Sequence, residues 1–260
     1  MSGHSKWSTI KHKKAINDAK KGKIFSKLSQ LITHAARNGG GDIDMNPTLR
    51  MYVAQAKEEG FPLDNIQKAI DKGSGKNDGP ALQEASYEGY APGGVAVIVD
   101  VLTDNTNRTV SEVRNIFNDY GGKMGENGSV SWNFDIYGYI LVKAGKMVKS
   151  EKYGEEDKFV SSNIDDVMME VMDVNGVIDI NEGDGVLEVI VDFKDLAKVR
   201  DSISDLGYVV SKAHIWKVPK LKKDVSESDL EKAERFIEAL EELDDVQNIW
   251  TEVEGLMSLN

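Results

Sequence analysis

The run VAVIVDVL at residues 95–102 decides the fold of this 260-residue chain. Its β-branched residues follow one another with a single charged interruption, a composition typical of a strand buried on both faces of a sheet. Downstream, apolar residues recur at helical spacing from Val110 to Phe117, and Gly121 and Gly122 end that segment. The run therefore predicts a strand followed by a helix, which is the start of a layered domain.

Further segments complete two domains of this kind. The sequence contains two β-α-β pieces. The first consists of the run at residues 95–102, the helix after it and a strand at 129–134. The second has a strand at 213–218, a helix at 230–243 and a strand at 246–253, and together the two pieces have the ferredoxin-like order. The segment between these two pieces repeats that order. Its predicted strands are at residues 139–142, 176–180, 186–192 and 208–212, and its predicted helices are at 164–172 and 196–206. We therefore predict an α+β fold in which one ferredoxin-like domain (residues 135–212) is inserted into another (residues 79–134 with 213–260).

Upstream of the run, residues 24–78 are predicted to form a three-helix domain. Apolar residues follow the i, i+3, i+4, i+7 rule from Ile24 to Ala36, and three glycines at 39–41 end the first helix. Asn46 and Pro47 are a good N-cap and first-turn pair for the second helix, and Pro62 opens the third. Gly73 ends the third helix, and residues 73–80 have the composition of a linker.

The N-terminal segment, residues 1–23, is a basic arm on an acidic body. The first forty residues carry nine cations and one acid, whereas residues 41–260 carry 23 cations and 43 acids. Residues of like charge in one block repel one another, and such blocks often bind a partner of opposite charge. For a basic block, the commonest such partner is the polyphosphate backbone of a nucleic acid. Residues 224–254 are strongly acidic, which indicates either a solvated helix face or a surface that repels misplaced nucleic acid.

Three interpretations of the arm are weighed. Its helical wheel has no clean apolar side, so it is either a solvated tail or a segment that becomes ordered on an anion. A mitochondrial transit peptide is the third interpretation, but such peptides favour arginine, and this arm is rich in lysine.

The cations of the arm and first helix are the candidate nucleic-acid contacts. Lysine ammonium groups bind phosphates without reading sequence, whereas Arg, Asn and Gln are the usual base readers. Trp7 either stacks on a splayed base or packs against the helices. The candidate residues are Lys6, Trp7, Lys11, His12, Lys13, Lys14, Lys20, Lys21, Lys23, Lys27, Arg37 and Arg108.

Arg108 is a candidate because of its position after the buried strand. Asn107 or Thr106 is the expected N-cap of the helix that follows. A cation in the first turn of a helix opposes the helix dipole, so Arg108 indicates an anionic contact.

Other chemistries have little support in the sequence. Without cysteine there is no thiolate nucleophile or cysteine zinc site, and His4 and His12 have no acidic companions nearby. Residues 121–129 are rich in glycine but lie between a helix and a strand, the reverse of a Walker loop, and so predict a turn. The longest apolar run is far too short to span a membrane. We therefore expect no metal, no cofactor, no membrane contact and no enzymatic activity.

Several short motifs resemble those of the YebC family, and together they span nearly the whole chain. Ala91 and the pair Trp132-Asn133 differ from the residues most often found in the family. The matching motifs are Gly3-His4-Ser5-Lys6-Trp7, residues 10–15, Lys23-Ile24-Phe25 with Lys27-Leu28, residues 39–42, Asn46-Pro47, residues 87–90 with 92–94, Asp104-Asn105, residues 107–110, residues 128–130 and residues 244–247.

The resemblance implies a cytoplasmic protein with an N-terminal helical domain and two α+β domains. Because it begins at Gly3, we expect no removable presequence. Members are described as probable DNA-binding transcriptional regulators, and others, including a mitochondrial translational activator of cytochrome c oxidase, as ribosome-associated translation factors that relieve stalling at proline-rich stretches. The resemblance thus leaves DNA and ribosomal RNA open as partners, as it does the oligomeric state.

Overall fold

The fold is described by a computed structural model that covers residues 18–76, 80–148, 158–253, 255–256 and 258–259. In chain order its elements are α1 (Asp18–Gly39), α2 (Pro47–Glu58), α3 (Leu63–Gly73), β1 (Gln83–Ala91), β2 (Val95–Thr103), α4 (Thr106–Asp119), β3 (Lys123–Met124), β4 (Phe134–Val148), β5 (Lys158–Ser161), α5 (Ile164–Met172), β6 (Val177–Glu182), β7 (Val186–Asp192), α6 (Leu196–Asp205), β8 (Tyr208–Pro219), α7 (Glu227–Glu241), β9 (Val246–Thr251) and β10 (Ser258–Leu259).

The predicted fold class is confirmed: a three-helix domain is followed by two ferredoxin-like α+β domains, one inserted into the other. The described residues form two compact units. One unit consists of the residues up to Asp135 together with those from Lys217 onward, and the other consists of Ile136–Trp216. The first unit contains the helical domain and the outer α+β domain (β1–β3, α4, α7, β9 and β10). The second is the inserted α+β domain.

The three helices of the helical domain form as the sequence predicts. Asn46 caps α2 by accepting a hydrogen bond from the Leu49 N–H at 3.0 Å, and its amide nitrogen donates to the carbonyls of Ala35 and Gly40. One side chain therefore both starts α2 and ties it to the end of α1. α1 begins at Asp18, so its first turns include residues assigned to the basic arm.

The run at residues 95–102 is the centre of the outer domain's sheet, as predicted. That sheet has the strand order β10-β9-β2-β1-β3, and neighbouring strands are antiparallel. The valines of β2 pack against α4 and α7, where Phe117 and Phe236 meet edge to face at 4.8 Å. Burial of this apolar layer is the main stabilising contribution to the domain.

Two predicted strands are wrong. Residues 129–134 contain a 3-10 helix (Ser131–Asn133), because the Glu88 carboxylate takes the backbone N–H groups of Gly128, Val130 and Ser131 that a strand would need. Residues 213–218 are not a separate strand but belong to β8, which starts at Tyr208 and pairs with β4. Besides β9, β2 pairs with β1, a strand that was not predicted because it is polar and contains glycine.

The inserted domain has the element order that the sequence predicts, with one additional strand, β5. Its sheet has the order β5-β4-β7-β6, and β8 pairs with β4 as well. The buried side chains of β4 and β7 include Tyr139, Leu141 and Ile190, and Val167 and Val199 are buried on its helices. His214 lies in β8 with its ring 5.0 Å from that of Tyr139.

Replacing Glu88 by glutamine is expected to lower the free energy of unfolding by about 2 kcal/mol, because hydrogen bonds to a charged group are worth about 1.5–3 kcal/mol. Burial opposes ionisation of Glu88, but the N–H groups of Gly128, Val130 and Ser131 outweigh it and hold the pKa of the carboxyl below its usual value. Because the pKa is depressed in the folded state, this stabilisation is present above the unfolded pKa and is lost as pH falls through the folded pKa.

Urea unfolding of the wild-type protein and of Glu88→Gln, at neutral pH and in acid, measures the difference in their free energies of unfolding. Glu126→Gln, an exposed carboxylate in the same loop, is the matched control and should change stability by less than about 0.5 kcal/mol. If Glu88→Gln lowers the free energy of unfolding equally at both pH values, the stabilisation does not come from the ionised carboxylate and the prediction is wrong.

Candidate nucleic-acid interface

Helix α1 has an apolar stripe that is mostly buried and a polar stripe that is partly buried. Leu28, Ile32 and Ala35 belong to the core of the helical domain. The polar stripe consists of Lys23, Lys27, Gln30 and His34, and it faces the outer α+β domain. The spacing of four, three and four residues keeps these side chains on one side of a helix.

The two lysines of this polar stripe lie against acidic residues at the C-terminal end of α7 and just after it. Lys23 forms an ion pair with Glu242. Lys27 is buried, which lowers its pKa to about 8 although the charges of Glu241, Asp244 and Glu242 oppose the shift. These carboxylates of the acidic C-terminal stretch are therefore partners of α1 as well as surface charges.

Asp245 is the centre of a hydrogen-bond network between α1 and the outer domain. Its Oδ2 accepts hydrogen bonds from Thr109 Oγ1 at 2.6 Å, Arg108 Nη2 at 2.7 Å and Thr103 Oγ1 at 2.9 Å. Its Oδ1 accepts one from Gln30 Nε2 at 3.3 Å. Burial opposes ionisation, but these bonds outweigh it and hold the pKa of Asp245 below its usual value.

The anionic contact indicated for Arg108 is therefore intramolecular. Its guanidinium contacts Asp245 and also Asp104, at 3.0 Å. The predicted N-cap is wrong: Asn105, and neither Thr106 nor Asn107, accepts the hydrogen bond from the Arg108 N–H. Helix α4 therefore starts one or two residues earlier than that prediction requires.

A polar cleft of about 480 Å³ lies beside this network. Its carboxylates outnumber its cations five to two, which disfavours a phosphate ligand. The lining residues are Ser29, Gln30, Thr33, Lys72, Leu82, Asp104, Arg108, Glu112, Glu242, Leu243, Asp244 and Asp245. We therefore place the candidate nucleic-acid interface outside the cleft.

The predicted contact residues fall into four groups. Lys23, Lys27 and Arg108 lie against the protein's own carboxylates, whereas Lys21 and Arg37 are exposed near opposite ends of α1, about 24 Å apart along the helix axis. Lys20 lies in the first turn of α1. Lys6, Trp7, Lys11, His12, Lys13 and Lys14 lie outside the described residues. Contact of these residues with nucleic acid stays a prediction.

Several residues that organise this region were not predicted from the sequence. Gln30, Glu242 and Asp245 connect α1 to the outer domain, and Glu88 holds the loop at residues 128–131. The 4-3-4 spacing of polar residues on α1 is the signal that could have indicated a second buried face. No comparable signal distinguishes Asp245 from its acidic neighbours.

The part of the chain that the structure describes contains no group of three His, Cys, Asp or Glu side chains that could hold a metal ion. No helix in that part is both long and apolar enough to cross a membrane.

The helical domain and the two α+β domains define a three-domain protein whose cations are concentrated at its N-terminal end. Residues 5–76 match the profile of the TACO1/YebC protein N-terminal domain, and residues 82–253 match that of the TACO1/YebC second and third domain. The chain belongs to the TACO1/YebC family.

Similar proteins cover almost the whole chain. A protein of Desulfosudis oleivorans is 46% identical over 251 residues, which are 96% of each chain. A protein of Thermotoga maritima is 42% identical over 254 residues, 98% of this chain and 94% of its own. Both are named probable transcriptional regulatory proteins, which supports a regulatory role for the family.

The chain is also similar to a protein of known crystal structure. It is a conserved hypothetical protein of Aquifex aeolicus, 39% identical, with a TM-score of 0.74 over 96% of this chain and 97% of its own. This likeness supports the three-domain architecture described above.

Proposed function

We propose that this protein is a non-enzymatic, cytoplasmic regulator of gene expression that binds nucleic acid through residues 1–23 and the first turns of α1. One observation carries the proposal: nine cations and a single acid occupy the first forty residues of a chain whose net charge is −12. Lys23 and Lys27 lie against carboxylates, so the phosphate contacts are assigned chiefly to the lysines that precede them. Such contacts provide affinity without sequence selectivity.

DNA is the first candidate partner, in transcriptional regulation, because the relatives are named as transcriptional regulators. Ribosomal RNA is the second, in a ribosome-associated translation factor that relieves stalling at proline-rich stretches. The composition of the arm favours RNA, since it is rich in lysine rather than in base-reading residues and contains Trp7, which can stack on an unpaired base.

Sedimentation of a cell lysate separates these two partners. If DNA is the partner, the protein should leave the fast-sedimenting fraction after DNase treatment. If the ribosome is the partner, co-sedimentation with ribosomal particles should survive DNase and be lost after RNase. Absence of the protein from both nucleic-acid fractions at low salt would contradict the proposed function.

A further inference from the structure

The helical domain and the outer α+β domain have separate apolar cores. Among the described residues, the core around Ile32 contains only residues of the helical domain, and the core around Phe117 contains only residues of the outer domain. Because these two cores share no residue, apolar burial stabilises each domain separately. Small polar contacts between domains commonly allow the domains to move apart.

The ion pairs that join α1 to the outer domain are exposed to solvent. Lys23 pairs with Glu242, whose side chain is 66% exposed. His34 Nε2 lies 3.2 Å from Glu84 Oε1, and the Glu84 side chain is 78% exposed. Solvent screening leaves such pairs with little net stabilisation, and salt weakens them further.

The hydrogen bonds of Asp245 are shorter within the outer domain than across to α1. Its three donors in the outer domain lie 2.6–2.9 Å from Oδ2, whereas Gln30 of α1 donates to Oδ1 at 3.3 Å. Gln30 also accepts a hydrogen bond from Gln247 Nε2 at 2.8 Å. Asp245 therefore keeps three donors when α1 leaves, so the acidic segment, which we define as residues 241–245, can stay on the outer domain.

The polar cleft lies at this contact. Its lining combines Ser29, Gln30 and Thr33 of α1 with residues 242–245 of the acidic segment. A polar space of about 480 Å³ has room for water and small ions. Dissolved ions can therefore compete for the charges that hold α1 on the outer domain.

Lys27 gives up most of its hydration in this arrangement. It is 5% exposed, and burial lowers its pKa to about 8 although the charges of Glu241, Asp244 and Glu242 oppose the shift. A lowered pKa means that the ammonium group is less stable in this position than in water. Separation of α1 from the acidic segment restores that hydration and frees the charge for another anion.

We propose that the acidic segment competes with nucleic acid for Lys23 and Lys27, so that a phosphate backbone binding these lysines releases the helical domain from the outer domain. In the docked arrangement described above, the carboxylates stand where phosphates would bind. A ligand that binds only the released state binds more tightly when docking is weakened. The inference rests on the proposed function and adds regulation of the same basic end of the chain.

The first test neutralises the acidic segment with the triple variant Glu241→Gln, Glu242→Gln and Asp244→Asn, which keeps Asp245. Fluorescence anisotropy with labelled duplex DNA and single-stranded RNA should show about 5-fold or more tighter binding than in the wild-type chain, the lower end of common coupling between sites. In the wild-type chain, salt weakens docking as well as phosphate binding, and the two effects oppose each other. The variant should therefore show the steeper salt dependence.

The matched control is the triple variant Glu231→Gln, Glu234→Gln and Glu238→Gln. These three carboxylates are exposed on the same helix, α7, and their replacement changes the net charge equally. Affinity and salt dependence should stay close to those of the wild-type chain. Equal changes in the two triple variants would show that net charge, and not docking, is responsible, and would overturn the inference.

The second test measures release in a chain whose acidic segment is intact. Because the sequence contains no cysteine, a pair of dyes can be attached through Asn65→Cys in α3 and Asn115→Cys in α4, both at exposed positions. Energy transfer between these dyes should fall when duplex DNA or single-stranded RNA saturates the protein. A control pair within the outer domain, Asn115→Cys with Asn127→Cys, should show no change.

The outcomes separate this inference from the proposed function. Constant energy transfer between the two domains at saturation overturns the inference, because nucleic acid is then bound without release of the helical domain. In that case, and in the case of equal changes in the two triple variants, the proposed function stands. If the wild-type chain binds neither duplex DNA nor single-stranded RNA, both the inference and the proposed function are wrong.

Discussion

Replacing Asp245 by alanine is expected to lower the free energy of unfolding by about 3 kcal/mol, because the substitution leaves buried hydrogen-bond donors without their acceptor. The side chain is buried and accepts hydrogen bonds from Thr103, Arg108, Thr109 and Gln30. Its loss leaves two buried hydroxyl groups with fewer partners and Arg108 without its closest carboxylate. Urea unfolding followed by circular dichroism measures this change.

Asp104→Ala is the matched control for Asp245→Ala. Asp104 also pairs with Arg108, at 3.0 Å, but its side chain is 35% exposed. Solvent screening and side-chain entropy limit such pairs to about 1 kcal/mol or less. Equal effects of the two substitutions would show that the pairing with Arg108, and not the buried network, carries the stabilisation.

Raising the salt concentration from about 50 to 200 mM is expected to weaken nucleic-acid binding by about a thousandfold or more, if about six to eight cations contact phosphates. Each phosphate that is neutralised releases condensed counterions, and this release is less favourable at high salt. Fluorescence anisotropy at several salt concentrations gives the slope of log affinity against log salt. A slope near zero would contradict binding through the arm.

Two triple variants identify the cations that produce this salt dependence. Replacing Lys11, Lys13 and Lys14 by glutamine should reduce the magnitude of the slope by about 2 to 3. Replacing the exposed lysines Lys57, Lys68 and Lys198 by glutamine changes the net charge equally and should leave the slope nearly unchanged. Equal reductions by the two variants would show that net charge, and not the arm, determines binding.

Most helices and the central strands of this protein were predictable because their signals are local. The valine-rich run became β2, and the spacing of apolar residues located α1, α4 and α7. β1 was missed because its strand character depends on pairing with β2, which residue-by-residue patterns do not contain. Residues 129–134 were assigned incorrectly because their backbone donors bind Glu88, some forty residues earlier in the chain.

The candidate interface was predictable to a smaller extent. The charge of the arm depends only on its composition, so it can be counted directly from the sequence. Which cations pair within the protein could not be predicted, since acidic residues are too numerous for the sequence to identify partners. Lys23 and Lys27 looked equivalent to the other lysines, yet they contact the segment at residues 241–244.

The amino-acid sequence by itself determined the fold class and the concentration of positive charge at the N-terminal end, because both arise from local spacing and composition. The tertiary structure alone decided which charges are paired, since Gln30 and Asp245 are 215 residues apart in the chain and meet only when α1 packs on the outer domain.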